Sequence, residues 1–367
     1  MTATIEQIRV RLFSVPLPRP WGPEVRQNYL ITCEIRDSAG RSGTGFTWTP
    51  LIGAHAIAAL LLRDCCPIIR GWDAHPAAVW DELWRSLHEA GGAGVTTLAM
   101  AAIDTALWDL TLRAHGETLL SRLGQRRSQV GKYGSGINYD YDHDALREQA
   151  RRWVGRGYDA VKIKVGHPSL EDDIRRCEIV RDVIGPHRRL MIDANQRWNI
   201  DQATRAIDAL SRFDLHWVEE PILADDAEGY ALLKRRTGAT IAAGENHRTV
   251  YEFRRLMQFG ACDVIQPNVS RVGGLTPFLR IATIASACGV RVCPHHLPEV
   301  SGQLALCMAE EELVESIEDS SFAELGILVS SEQRETDSGL RFKGPGLGFE
   351  FDFDRLSRCE IELPASQ

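Results

Sequence analysis

Seven short apolar runs, each closed by a polar residue, decide the fold: AVKIKV (Ala160–Val165), LMIDAN (Leu190–Asn195), HWVEEP (His216–Pro221), TIAAGEN (Thr240–Asn246), DVIQPN (Asp263–Asn268), VRVCPHH (Val290–His296) and LVESI (Leu313–Ile317). Their closing residues are Lys164, Asp193, Glu219, Glu245, Asn268, His295 and Glu315, at successive separations of 29, 26, 26, 23, 27 and 20 residues. Such a separation holds one strand, one loop, one helix and a return loop. An apolar run that ends in a polar residue reads as a buried parallel strand delivering that residue to a rim. Repeated seven times, this is a β/α barrel with its chemistry at the C-terminal ends of the strands.

Outward from these runs, Gln129–Asn138 is expected to be a first barrel strand. Helices are expected at Asp144–Arg156, Leu170–Ile184, Asp201–Ser211, Ala227–Thr237, Val250–Phe259 and Thr276–Cys288. Residues 1–48 alternate as antiparallel strands, with Pro16–Pro23 as a loop. His55–Cys65, Pro76–Leu87 and Thr97–Ala114 have helical periodicity, the last closed by Gly116. Asp104 and Asp109 in that helix flank Trp108 and read as packing residues. The domains expected are 1–128, an α+β cap; 129–328, the barrel; and 329–367, a glycine-rich segment folding back on the cap. With 44% apolar and 25% charged residues, the chain can build a large core. A net charge of −8 without a basic stripe argues against nucleic acid. No apolar run long enough for a membrane span and no signal-peptide core are read, and nine cysteines without CxxC spacing suggest free thiols, so a cytoplasmic protein is expected.

Asp193, Glu219 and Glu245 close three consecutive strands. One acid after a strand is ordinarily a helix cap. Three at neighbouring strand ends can converge on one hard cation, and oxygen ligands favour Mg2+ over zinc. Lys162 and Lys164, two apart on one strand, share the inward face. Two buried ammonium groups disfavour each other's charge, so one is expected to be a neutral base near pH 7. His295 stands across the mouth, where it would face the other side of a bound carbon. Glu315, if protonated, would donate to a substrate carboxylate. The set suits removal of a proton α to a carboxylate, with the cation and Lys162 balancing the enolate.

With KxK at Lys162–Lys164, DAN at Asp193, VEEP at Glu219, GEN at Glu245, RVGG at Arg271–Gly274, PHH at His295, VES at Glu315 and the helix segment Ala102–Leu110, the chain resembles the enolase superfamily, mandelate racemase subgroup. The resemblance implies a (β/α)7β modified TIM barrel under an N-terminal α+β cap. It also implies one Mg2+ on Asp193, Glu219 and Glu245, Lys164 and His295 as bases, and Glu315 as an electrophilic acid. Asn195 would lie near a small carboxylate substrate. Cap loops Pro16–Gln27 and Thr49–His55 would set specificity, with Arg19 and Trp21 as candidate substrate contacts beside His247 and His296 on the rim. A homo-oligomer, dimer or octamer, is expected.

One position departs from the pattern. Asn268 stands where the subgroup places an aspartate against the histidine. An amide oxygen turned toward the imidazole can hold one tautomer, but it does not stabilise imidazolium as a carboxylate does. The expected reaction is therefore dehydration of an acid sugar or other polyhydroxy carboxylate to a 2-keto acid, begun by Lys164, with His295 as a neutral acid. The alternatives are a racemase or epimerase of a 2-hydroxy acid and a non-catalytic metal-binding homologue. Cycloisomerase and dipeptide-epimerase relatives carry a lysine on the sixth-strand side, where this chain has Asn268.

Overall fold

The computed structural model describes residues 3–310, 313–331, 334–336, 339–341 and 344–363; the rest of the expected C-terminal segment lies outside the described residues. Strands β1 (Ile5–Trp21), β2 (Val25–Asp37) and β3 (Ser42–Thr49) form an antiparallel sheet in that order, and Glu360–Ile361 adds to the outer edge of β1. The expected loop at Pro16–Pro23 is instead a strand as far as Trp21, which pairs with Val25. Pro16, Pro18 and Pro20 alternate, so their missing N–H groups fall on one side, and a strand tolerates that at an edge.

Helix Val95–Ala114 lies across β3 at very short range. A Cβ on Gly45 would stand 2.2 Å from Ala102 O and Ala106 N, and one on Gly43 would stand 2.2 Å from Leu110 N. Glycines on the strand and alanines on the helix are what permit this approach. Thr105 Oγ1 accepts the Phe46 N–H at 3.0 Å across the contact. This helix does have the length and apolar character to cross a membrane, contrary to the sequence reading, but 78% of its most apolar window is buried in the protein. Asp109 accepts from Thr44 N, Leu347 N and Arg113 Nε, the packing role expected of it.

The barrel is a parallel sheet of β4 (Lys132–Ser135), β5 (Ala160–Lys164), β6 (Arg189–Asp193), β7 (Leu215–Glu219), β8 (Ile241–Ala243), β9 (Val264–Ile265), β10 (Arg291–Val292) and β11 (Val314–Ile317). The strands pair in sequence from β4 to β10, and β11 returns to pair with β4. The seam between β10 and β11 is bridged by Cys293 Sγ, which donates to Leu313 O at 3.1 Å. The strands β8 to β10 are shorter than their apolar runs. Pro267 and Pro294 follow β9 and β10 closely, and proline has no N–H for a ladder. Helix Pro298–Cys307 was not anticipated: all ten of its residues are buried, so it lacks the one-sided apolar stripe by which helices are recognised. Tyr133, Ala160, Met191, Trp217, Ala242, Val264 and Cys293 fill the barrel interior as an apolar floor.

Candidate active site and cation site

Strand register sets the first three site residues side by side. Lys164 pairs with Asp193, and Asp193 pairs with Glu219, so all three lie at one height on neighbouring strands. Every residue of β5 is buried, and its inward face carries Lys162 and then Lys164. Glu245 arrives from the turn after β8. Gly244 makes that turn at φ 142°, where a Cβ would lie 2.7 Å from Gln266 N. Asp193, Glu219 and Glu245 each present an oxygen within 4.8 Å of the others. Three buried carboxylates this close, above an aromatic floor, fit a hard divalent cation.

Among the described residues, the acids are balanced by the chain's own cations. Lys162 Nζ lies 2.5 Å from Glu219, 2.8 Å from Glu315 and 3.7 Å from Asp193. Lys164 Nζ lies 2.5 Å from Asp193 Oδ2. Burial pushes both lysines down, but Glu219 and Glu315 hold Lys162 well above the ordinary lysine value, and Asp193 raises Lys164. At these distances the carboxylates outweigh both burial and the repulsion between the two ammonium groups. Glu315 is subject to the same balance. Burial would raise its pKa, but Lys162 and His295 bring it down to about 2. Glu219 is pushed up to about 8, by burial first.

His295 Nε2 stands 2.9 Å from Glu245 Oε2 and 3.4 Å from Glu315 Oε2. Behind the ring, Asn268 turns its amide nitrogen to His295 Nδ1 at 3.0 Å, while its oxygen accepts the Arg271 N–H at 3.1 Å. The oxygen considered from the sequence as the imidazole's partner faces away. Arg271 is fixed in turn, with Nη1 donating to Glu245 O at 2.7 Å.

The remaining candidates divide. Asn195 has φ 42° and donates its backbone N–H to Asp193 Oδ1 at 2.8 Å, steadying that carboxylate. Trp21 stands edge-on to Trp48 and to His296, each at 6.3 Å. His296 is buried, its Nε2 is 3.0 Å from Ser320 Oγ, and burial first and then His295 press its pKa down to about 3. Arg19, the expected substrate contact in the cap, pairs its guanidinium with Glu318 at 2.9 Å and Asp319 at 3.3 Å. His247 is directed to Phe253, 5.5 Å away and in the layer outside the strands, and burial lowers its pKa.

Three participants were missed. Gln266 donates to Glu219 Oε2 at 2.7 Å, and Trp217 Nε1 donates to the same oxygen at 3.1 Å. Glu220 is fully buried at φ 37° and accepts from Asn246 Nδ2 at 2.8 Å. The doubled acid of VEEP and the asparagine of GEN were visible in sequence, but nothing local to either run says that they meet.

The family description "Mandelate racemase / muconate lactonizing enzyme, N-terminal domain" matches residues 8–124, and "Enolase C-terminal domain-like" matches residues 145–355. The 3,6-anhydro-alpha-L-galactonate cycloisomerase of Streptomyces coelicolor is 34% identical over 97% of this chain and 99% of its own length. The L-talarate/galactarate dehydratase of Salmonella typhimurium is 31% identical over 86% of this chain and 81% of its own. Among solved structures, a Streptomyces coelicolor racemase with bound magnesium superposes with a TM-score of 0.92 at 33% identity, covering 97% of this chain and 100% of that one. The L-talarate dehydratase of a Polaromonas species, complexed with Mg and L-glucarate, gives 0.89 at 31% identity, with 98% of each chain covered. Mg2+ is accordingly the cofactor that these carboxylates are suited to hold. The chain belongs to the enolase superfamily, in its mandelate racemase subgroup.

Proposed function

We propose that this protein is an Mg2+-dependent lyase that removes the proton α to a carboxylate and dehydrates an acid sugar, or another polyhydroxy carboxylate, to a 2-keto acid. The observation that carries the reading is the convergence of Asp193, Glu219 and Glu245 beside the inward pair Lys162 and Lys164, with His295 Nε2 facing the same space. When bound, Mg2+ supplies positive charge that polarises the substrate carboxylate and steadies the enolate. Asp193, Glu219 and Glu245 would hold it. Lys164, at the inward-facing end of β5, takes the α-proton. Lys162, with an ammonium anchored by Glu219 and Glu315, provides fixed charge against the enolate oxygens. Trp21 and Trp48 wall the mouth and exclude water. The expected setting is cytoplasmic, and the expected assembly a homo-oligomer.

A second reading is favoured by the cycloisomerase named above, which matches along nearly the whole chain. The sequence argued against cycloisomerases because of Asn268, yet here too an enolate formed beside the cation would expel a β-oxygen, in this case one tethered in a ring. Incubation of acid sugars and their anhydro and lactone forms with Mg2+ in D2O, followed by NMR, tests both readings. A 2-keto acid from an open-chain acid supports dehydration, and ring opening of a cyclic one supports the second reading. Inversion at C2 without elimination would indicate an epimerase. Mg2+ binding without α-exchange on any of them would leave the non-catalytic alternative.

A further inference from the structure

We propose that Asn268 fixes His295 in the tautomer with its proton on Nε2, so that the imidazole is a hydrogen-bond donor to a substrate oxygen and not a base. This deepens the proposed function, on which the role toward substrate rests; the tautomer itself rests on hydrogen-bond polarity alone. Asn268 is fully buried and its side chain makes three polar contacts. Its amide nitrogen faces His295 Nδ1 at 3.0 Å and the His295 carbonyl oxygen at 3.4 Å, and its oxygen takes the Arg271 backbone N–H at 3.1 Å. A carbonyl oxygen only accepts and a backbone N–H only donates. Two of the three polarities are therefore settled without reference to the imidazole. A flipped amide would set oxygen against oxygen at His295 and N–H against N–H at Arg271, losing both bonds at a fully buried residue.

With the amide so held, His295 Nδ1 must accept, and the single proton of a neutral imidazole is left on Nε2. The other side of the ring agrees, since both groups facing Nε2 are carboxylate oxygens, from Glu245 and Glu315. The amide's own support is rigid, because the turn that follows is closed by Val272 N donating to Asn268 O at 3.0 Å and Gly274 N donating to Val269 O at 2.8 Å. An aspartate at 268 would accept the Arg271 N–H equally well. Its second oxygen would then draw the proton to Nδ1 and leave Nε2 bare, as a base. One atom, nitrogen in place of oxygen, reverses the ring. A neutral imidazole that gave up its Nε2 proton would become imidazolate, so His295 keeps its proton. Lys164 alone removes the α-proton and, as the ammonium, returns it: to C2 in exchange, or to the departing oxygen, which leaves as water. The centre is thus one-faced.

The test is long-range 1H–15N NMR of 15N-histidine protein with saturating Mg2+ and no substrate, the His295 signals being assigned by their loss in His295→Gln. The expected result is an unprotonated Nδ1 and a protonated Nε2 at His295 in the wild-type chain, and the reverse in Asn268→Asp. A protonated Nδ1 with a bare Nε2 in the wild type, or an unchanged pattern in the variant, overturns the proposal. For any acid sugar that exchanges, paired C2 epimers in D2O give a second readout. Exchange from one epimer in the wild type and from both in Asn268→Asp supports the one-faced centre, and exchange from both in the wild type overturns it. If no acid exchanges, the proposed function fails while the tautomer result still decides the inference.

Discussion

Asp104 offers a sharp test of how the cap is held to the barrel. Its side chain leaves helix Val95–Ala114 and receives the Thr276 N–H at 3.0 Å, at the start of the barrel helix that follows the RVGG turn. Gly274 makes the contact possible, since a Cβ there would lie 2.2 Å from Asp104 Oδ2. The other oxygen, Oδ1, is buried with no partner among the described residues. Burial with one oxygen unsatisfied raises the carboxyl from 3.8 to about 7, against the smaller lowering effect of Thr276. Between these values the folded chain holds a proton that the unfolded chain has lost. Stability from this group is therefore full below pH 4, falls as pH rises toward 7, and is level above that. A rise of about three units corresponds to about 4 kcal/mol at order of magnitude. Asp104→Asn keeps an oxygen for Thr276 and has no charge to bury. Urea unfolding of both proteins at pH 5, 6, 7 and 8, read as the difference between them, removes the titration of all other groups. The variant should gain on the wild type by on the order of 1 kcal/mol per pH unit from 5 to 7 and then hold level. A difference that does not change with pH would refute the reasoning.

The other expectations concern the site and the cap. Lys164→Ala should lower α-exchange by about 10²–10⁴-fold, the usual contribution of a positioned base, while calorimetry still finds Mg2+ binding. Mg2+ at about one hundred times its Kd should stabilise the wild type against urea by about 2.7 kcal/mol, and EDTA should reverse this. Asp193→Asn should weaken that binding by at least about 100-fold, as read by the Mg2+ concentration at half effect. Arg19→Ala removes a half-exposed ion pair to Glu318, so stability should change by no more than about 1 kcal/mol, while KM rises as the cap hairpin loosens and kcat stays near its original value. Gly45→Val must push helix Val95–Ala114 off β3, costing more than about 4 kcal/mol, and expression in soluble form with the wild-type Tm would count against the packing described.

The barrel and its rim were legible because they depend on local order. A strand covered on both faces must be apolar along its length, so the only place for Lys164, Asp193 or Glu219 at its end is the mouth, and the period of the runs follows from the geometry of a βα unit. The three-acid site and the inward lysine pair came with that period. What depended on which groups meet across the barrel was not legible. Which carboxylates meet Lys162 and Lys164 was set by barrel closure, which brings Glu219, Glu315 and Asp193 to their ammonium groups. Nothing local to Arg19 says that it pairs with Glu318, almost three hundred residues away. Helix Pro298–Cys307 has no exposed side, so it carries no stripe to recognise. Asn268 shows the division most clearly. The sequence determined that residue 268 is an amide. Only the tertiary structure, by setting a backbone N–H on one side of that amide and a carbonyl on the other, decided which of its ends the imidazole meets.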